Sequence, residues 1–353
     1  MNINKTAVIA AISIISASII QAQTEETIEV YHTQQEKRDI ANLHLGKGVS
    51  IGTLLEVEAA IGNESGKDVS DITLATLEFS IEAELNDWIS AKAVLLWEED
   101  DTEPIDLDEG VITLGGTENI AWSLELGKLY IPFGAFHSHF VSDPLTLELG
   151  ETRKSAAIFG YSHDLFTVRL GSFNGDSDDA DSDQVDDLVA SVNLTPIDGI
   201  EIGGFWVSDL GETDGLTDRI QEATSGSEES EGIAYTKTGG AGGFVHFELA
   251  KAIFDAEYIT ATGDFDAGII GDDKLTPKAW NFEAAYVIRE IIEIAAKYEG
   301  TDDFPDMPKA QYGAAGSYAL LENTTISLEY LHGTYKGDTK DRDMVTAQIA
   351  VEF

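Results

Sequence analysis

The chain has 353 residues, no cysteine, and 65 Asp and Glu against 21 Lys and Arg, a formal net charge of −44. So large an acidic excess excludes nucleic acid as a partner, because phosphate binding needs clustered cations, and it excludes adhesion to anionic lipid through a basic patch. Without disulfides, an exported chain of this length must be held by a large core or by a closed hydrogen-bonded sheet.

The N-terminus reads as an export signal. Lys5 precedes the uncharged run AVIAAISIISASII, and Ile20-Gln21-Ala22 offers a small-residue cleavage site, so residues 1–22 are set apart from the fold. Residues 23–46 are polar and of mixed charge, the composition of a short periplasmic leader. Beyond the signal no apolar run reaches the ~18–20 residues a membrane helix needs, so only a barrel could span a bilayer.

From Val49 onward the hydrophobic period is two. Phe79, Ile81, Ala83 and Leu85 alternate with Ser80, Glu82 and Glu84; Trp280, Phe282, Ala284, Tyr286 and Ile288 form one face with Asn281 and Glu283 on the other. Such alternation puts one face in an apolar medium and the other in water. Tight connections at 86–87, 162–164, 196–199 and 322–324 interleave with long polar ones at 63–70, 98–109, 175–187, 209–238 and 263–277. Short turns at one end and long loops at the other are the pattern of an outer-membrane barrel. The expected fold is therefore all-β, a transmembrane antiparallel β-barrel of about sixteen strands over residues 47–353. Trp88, Trp97, Trp122, Tyr130, Tyr258 and Trp280 stand near strand ends, where aromatic girdles belong. The closing alternation Val345, Ala347, Ile349, Val351, Phe353 resembles the signal read by the barrel-assembly machinery, with Phe353 as its terminal residue.

On this count residues 132–154 are the third long connection, the one that folds into the barrel and constricts the pore in sixteen-stranded general porins. Its composition sets it apart: Phe133, Phe136 and Phe140 mark a packed loop, whereas the other long loops are mostly Asp, Gly, Ser and Glu. Pro132, Phe133, Phe136, His137, His139, Asp143, Glu148, Glu151, Arg153 and Lys154 are the candidate residues for ligand passage. The two histidines are read as lining an aqueous passage, since no cysteine or acidic residue stands at a zinc-like spacing from them; no metal is assigned. The cluster Glu148, Glu151, Arg153, Lys154 either sets a transverse field or pins the loop by ion pairs. Glu78, Glu82, Glu84, Glu125, Asp255, Glu257 and Glu293 are expected to face the lumen and favour cations.

Two stretches carry a family resemblance. GKLYIPFGAF (127–136), followed by SDPLTLELGETRKSAAIFGY (142–161), resembles the signature block of LbtU-type siderophore porins, and EEDDTEPIDLDEGVITLGG (98–116) resembles the segment before it. The resemblance runs, more weakly, to Phe353. It implies an outer-membrane barrel that takes up a ferric siderophore. The leader is shorter than the coiled-coil-like extension of some members, so no periplasmic oligomerisation is carried over, and the oligomeric state is left open. Lipopolysaccharide and the assembly machinery are the other expected partners.

Three alternatives remain. One is a cation-preferring diffusion porin without a dedicated ligand. Another is a barrel lipid hydrolase built on Ser138 and His137. The third is a soluble exported β-protein. No P-loop and no dinucleotide-type Gly-rich turn is present, so no enzyme and no cofactor is expected. The run DSDDADSDQVDD (176–187) lacks the Gly and terminal Glu of a calcium loop; it reads as a solvated acidic loop with at most weak divalent binding.

Overall fold

The computed structural model describes residues 43–44 and 48–353, apart from 65, 100–101, 103, 118–119, 178–183, 226–231 and 338–339. The export signal, most of the expected leader and the centre of the 176–187 acidic run lie outside the described residues.

Sixteen antiparallel strands, from Val49–Glu64 to Arg342–Glu352, form one ring. Each pairs with its neighbours in sequence, and the last closes on the first with Ile349 opposite Val57. Closure leaves no unpaired edge, which is the condition for a sheet to stand in hydrocarbon. The alternating runs at 79–85, 280–288 and 345–351 lie in strands Lys67–Asn86, Lys278–Ile288 and Arg342–Glu352. The chain end joins the ladder too: the Thr53 N–H donates to the Phe353 carbonyl at 2.7 Å, and the Phe353 N–H donates to the Thr53 carbonyl at 3.0 Å.

The faces separate as the alternation requires. In Lys278–Ile288, Phe282 and Tyr286 are 49% and 48% exposed on the outer face, while Asn281 and Glu283 are 2% and 4% exposed on the inner one. Phe254, Tyr258, Ile294, Tyr298, Tyr312 and Tyr330 continue the exposed apolar face around the ring. Apolar out and polar in is the inverse of a water-soluble sandwich, so the soluble alternative fails on this observation.

Two connections differ from the sequence expectation. Residues 63–70 are no long loop: the strands run on through Glu64 and Lys67, giving lengths of 16 and 20 residues around a tight turn. Glu64, Lys67, Asp68 and Ser70 are exposed on both sides, so the ladder continues where the hydrophobic alternation has already stopped. Similarly, Arg153–His163 begins two residues earlier than expected, so Arg153 and Lys154 belong to a strand and not to the loop before it. Leu43–His44, within the expected leader, pairs with Ser50 and Ile51.

At the long-loop end, a six-residue helix α1 (Leu145–Gly150) and a longer helix α2 (Asp214–Ser225) pack together over an apolar cluster that includes Phe133, Phe136, Leu149, Phe173, Leu216 and Ile220. At the other end, Phe140 packs with Ile253, Ala285, Val287, Ala295 and Leu331.

Candidate functional site

Residues 131–152 leave the ladder but cannot leave their amide groups unpaired, since buried N–H donors need acceptors. The inner faces of the opposite strands supply carboxylates in a row. Glu257 accepts from the N–H groups of Ala135 (2.7 Å) and Phe136 (3.1 Å) and from the Thr146 hydroxyl (2.7 Å). Glu283 accepts from the Ser138 hydroxyl (2.9 Å) and the His139 N–H (2.7 Å). Glu329 accepts from the Val141 and Ser142 N–H groups, at 2.8 and 3.0 Å, and from the Ser142 hydroxyl. Glu299 accepts from the Leu145 N–H at 2.8 Å. Hydrogen bonds to charged groups contribute about 1.5–3 kcal/mol each, so this row sets the segment's path.

The bonds fall on the polar faces of strands Ala252–Ala261, Lys278–Ile288, Ile292–Asp302 and Thr324–Thr334. The segment passes from Glu257 to Asp255, reaches Ile253 and Val287 near the tight turns through Phe140, and returns along Glu329 and Glu299. The bend is tight. Gly134 has φ 114°, and a Cβ there would lie 2.0 Å from the Phe136 ring, while Phe136 itself takes φ 53°. Only glycine fits at the first position, and the second is a strained backbone held by Glu257.

The histidines do not line an aqueous passage. His139 is buried, with Nδ1 2.9 Å from Glu293 and Nε2 3.0 Å from Asp255. Carboxylates only accept, so both ring nitrogens carry protons. Burial opposes that charge, but the bonds to Asp255 and Glu293 outweigh it and lift the pKa to about 10. His137 Nδ1 lies 3.1 Å from Asp255 Oδ1, and His246 Nδ1 lies 2.7 Å from the same oxygen. Ser138 is bound to Glu283 and accepts from the Phe140 N–H. These groups are arranged as an anchor and not as a Ser–His nucleophile.

Asp255, Glu257 and Glu293, expected to charge an open lumen, are therefore covered by the segment they hold. Other inward acids border an open space, most of them across the barrel from the segment and two, Asp143 and Glu151, on the segment itself. A cavity of about 910 Å³ is lined by Glu56, Glu58, Glu78, Glu82, Glu98, Asp108, Glu109, Asp143 and Glu151, nine acids, against the two cations Lys92 and Arg169. Pro132, Gly134, Phe136 and Leu147 give its other wall. Tyr130, expected in an aromatic girdle, lines this cavity and donates its hydroxyl to Asp108 at 3.0 Å. Of the other expected residues, Glu84 is exposed and outside the lining, Glu125 stands 3.9 Å from Arg169, and Glu148 is half-buried in α1. Phe133 is buried edge-on to Phe205 with ring centroids 5.0 Å apart. Arg153 pairs with Asp108, and Lys154 pairs with Asp176 and with Glu212 at 2.9 Å, so both basic groups are spent on ion pairs.

Sequence reasoning did not single out Glu283, Glu299, Glu329 and Lys297 as site residues. All lie on inner faces that the same alternation marks, and each could be placed by extending the period by two from Asn281, Glu293 or Ser327. Nothing in the sequence says which inner-facing acids meet a loop.

Glu151 has its own pH response. Burial, with the nearby charges of Asp214, Asp143 and Asp108, raises its pKa to about 8, so it is largely neutral at pH 7 and gains its charge as pH rises through 8. Because it lines the cavity, cation conductance should climb between pH 7 and 9 in a planar bilayer, and Glu151→Gln should flatten that climb. An identical profile in the variant would remove Glu151 from the conduction path.

No family model matches the chain. Among curated proteins, it is 24% identical over 356 residues to the UPF0422 protein lpg2959 of Legionella pneumophila, covering 86% of this chain and 66% of the relative. It is 23% identical over 297 residues to a UPF0422 protein of Coxiella burnetii, covering 79% and 62%. The chain thus spans a little under two thirds of the length of these relatives. Among solved structures, the outer membrane channel DcaP of Acinetobacter baumannii superposes with a TM-score of 0.64 at 11% identity, over 88% of this chain and 99% of that one. Salmonella typhi OmpF (TM-score 0.63, 10% identity) covers 88% and 100%, and the anion-selective porin from Comamonas acidovorans (0.63, 12%) covers 86% and 99%. A closed sixteen-stranded antiparallel barrel with an apolar exterior, this chain has the fold of the outer-membrane porins.

Proposed function

We propose that this protein is an outer-membrane diffusion channel that prefers cationic or neutral hydrophilic solutes, passed between the residue 131–152 segment and the acidic wall opposite. The observation that carries this reading is the imbalance of the lining: nine acidic side chains and two cations around one cavity, with the wall acids that hold the segment already occupied. A negative lining raises the local concentration of cations and lowers that of anions.

The resemblance to LbtU-type siderophore porins adds a cargo to this reading, a ferric siderophore. The lining then restricts the class: a neutral or cationic chelate fits the cavity's field, and a polycarboxylate anion does not. The test is ferric-chelate uptake in cells that lack the protein and in cells that regain it. Saturable uptake, competed by the iron-free chelator, supports a dedicated cargo. Uptake linear in concentration supports the general porin, and unchanged uptake on loss of the protein defeats the iron role.

A further inference from the structure

His137 and His246 are far apart in sequence, one on the pinned segment and one on strand Gly240–Leu249. The fold brings their Nδ1 atoms onto the same oxygen of Asp255, and the three candidate ligand atoms lie within 4.8 Å of one another. The register explains the second contact, since His246 stands directly opposite Asp255 across the ladder. The rings meet edge to face, with centroids 5.1 Å apart.

A fourth group stands beside them. Asn281 shares a cavity of about 10 Å³ with His137 and Asp255. Its amide nitrogen donates to the His137 carbonyl (3.3 Å) and to Glu283 (3.0 Å), which fixes the amide's orientation. Its Oδ1 is buried and has no hydrogen-bond donor. A buried carbonyl-type oxygen without a donor costs free energy unless something electropositive occupies the space beside it.

We propose that His137, His246 and Asp255, with Asn281 Oδ1 as a fourth donor, form a site for a divalent transition metal of the zinc class. Two imidazoles and a carboxylate are a donor set that zinc takes, and zinc ligands about 2.0–2.2 Å from the ion lie about 3.4 Å apart in a tetrahedron. The three pairs among His137, His246 and Asp255 need shifts of under about 1.5 Å to reach that spacing. To bind, each imidazole changes from its Nδ1–H to its Nε2–H tautomer, so the nitrogen now facing Asp255 offers a lone pair and no proton is lost overall. The second Asp255 oxygen stays held by His139 at 3.0 Å, an outer contact of the kind that orients a ligating carboxylate. His246 keeps its side chain about one-fifth exposed, which leaves a way in. The metal would tie the pinned segment to three wall strands.

The test uses the whole protein in detergent, stripped with a chelator and then dialysed against zinc chloride with excess magnesium, which occupies oxygen-only sites on the acidic loops. Wild type should retain one zinc per chain, and His137→Ala and His246→Ala should each lose it. His139→Gln should retain it with an affinity about 10–100-fold lower. Cobalt(II) in place of zinc should give the intense visible bands of a tetrahedral ion in wild type and, at higher cobalt, in His139→Gln, but in neither His137→Ala nor His246→Ala. Heat-modifiable gel mobility checks that each variant is still a barrel, and His246→Gln, which keeps a hydrogen-bonding side chain, replaces His246→Ala if that one misfolds. No retained zinc in wild type, or equal zinc in wild type and both histidine variants, would overturn the proposal. Metal stoichiometry reads the site independently of whether the channel carries iron chelates, so the two readings fail separately.

Discussion

Lys297→Met is expected to destabilise the barrel by about 3–5 kcal/mol, the cost of leaving buried charge without its partner. Lys297 has a side chain with 0% exposure and lies 3.2 Å from Glu283 and 3.7 Å from Glu299, both equally buried. It also donates to the Ser142 carbonyl at 3.2 Å and stands 4.7 Å above the Phe140 ring. One ammonium group thus pairs with two of the four acids that hold the segment's amides. Thermal loss of heat-modifiable mobility should fall by several degrees at least, and the segment should become accessible to protease from inside the channel. Because the defect is an unpaired carboxylate, Lys297→Met combined with Glu283→Gln should recover a substantial part of the loss. A double variant no better than the single one would mean that Lys297 acts by packing, and an unchanged single variant would sink the account of how the segment is held.

Neutralising the opposite wall should leave stability nearly untouched and change selectivity. Glu56, Glu78 and Glu82 line the cavity from two adjacent strands, and replacing all three with Gln removes three of its nine carboxylates. A unit charge about 7 Å from a passing monovalent cation in water contributes ~0.6 kcal/mol, close to threefold per site. Three such factors multiply to about twentyfold, so the permeability ratio of potassium to chloride, read from the reversal potential across a salt gradient, should drop by at least that much at low ionic strength. At 1 M salt the Debye length shrinks to about 3 Å and the difference should largely vanish. A ratio unaffected by the triple change would place the conduction path elsewhere in the barrel.

The barrel was legible because its signal is local and repeated. Alternation in a strand such as Lys278–Ile288 reports the two media on either side of the sheet, and the same statement recurs sixteen times. The 63–70 connection shows where that signal stops: above the membrane both faces of a hairpin meet water, so paired strands carry no hydrophobic period. Tyr130 shows a second limit. Its position at a strand end suggested a girdle, whereas the ring lines the cavity and the hydroxyl bonds Asp108.

The candidate site was only half legible. Phe133, Phe136, His137 and His139 were singled out by composition; in the segment that the opposite wall holds, Phe133, Phe136 and His139 are buried and His137 is partly so. Their roles were not readable, because a role depends on a partner. His139 meets Glu293 across 154 residues of sequence, and Ser138 meets Glu283 across 145. Asp255 and Glu82 look alike in the sequence, as acids on the inner face of an alternating strand. One is buried under three histidines and the other is exposed in an open cavity.

By itself, then, the sequence determined the sheet, its strand number, the side of each strand that meets lipid, and a strongly acidic interior, all consequences of a period-two pattern and a net charge. Only the tertiary structure decided which acids line the open cavity and which anchor the segment. That choice is made by a loop whose amides must find acceptors, and the acceptors lie on strands more than a hundred residues away.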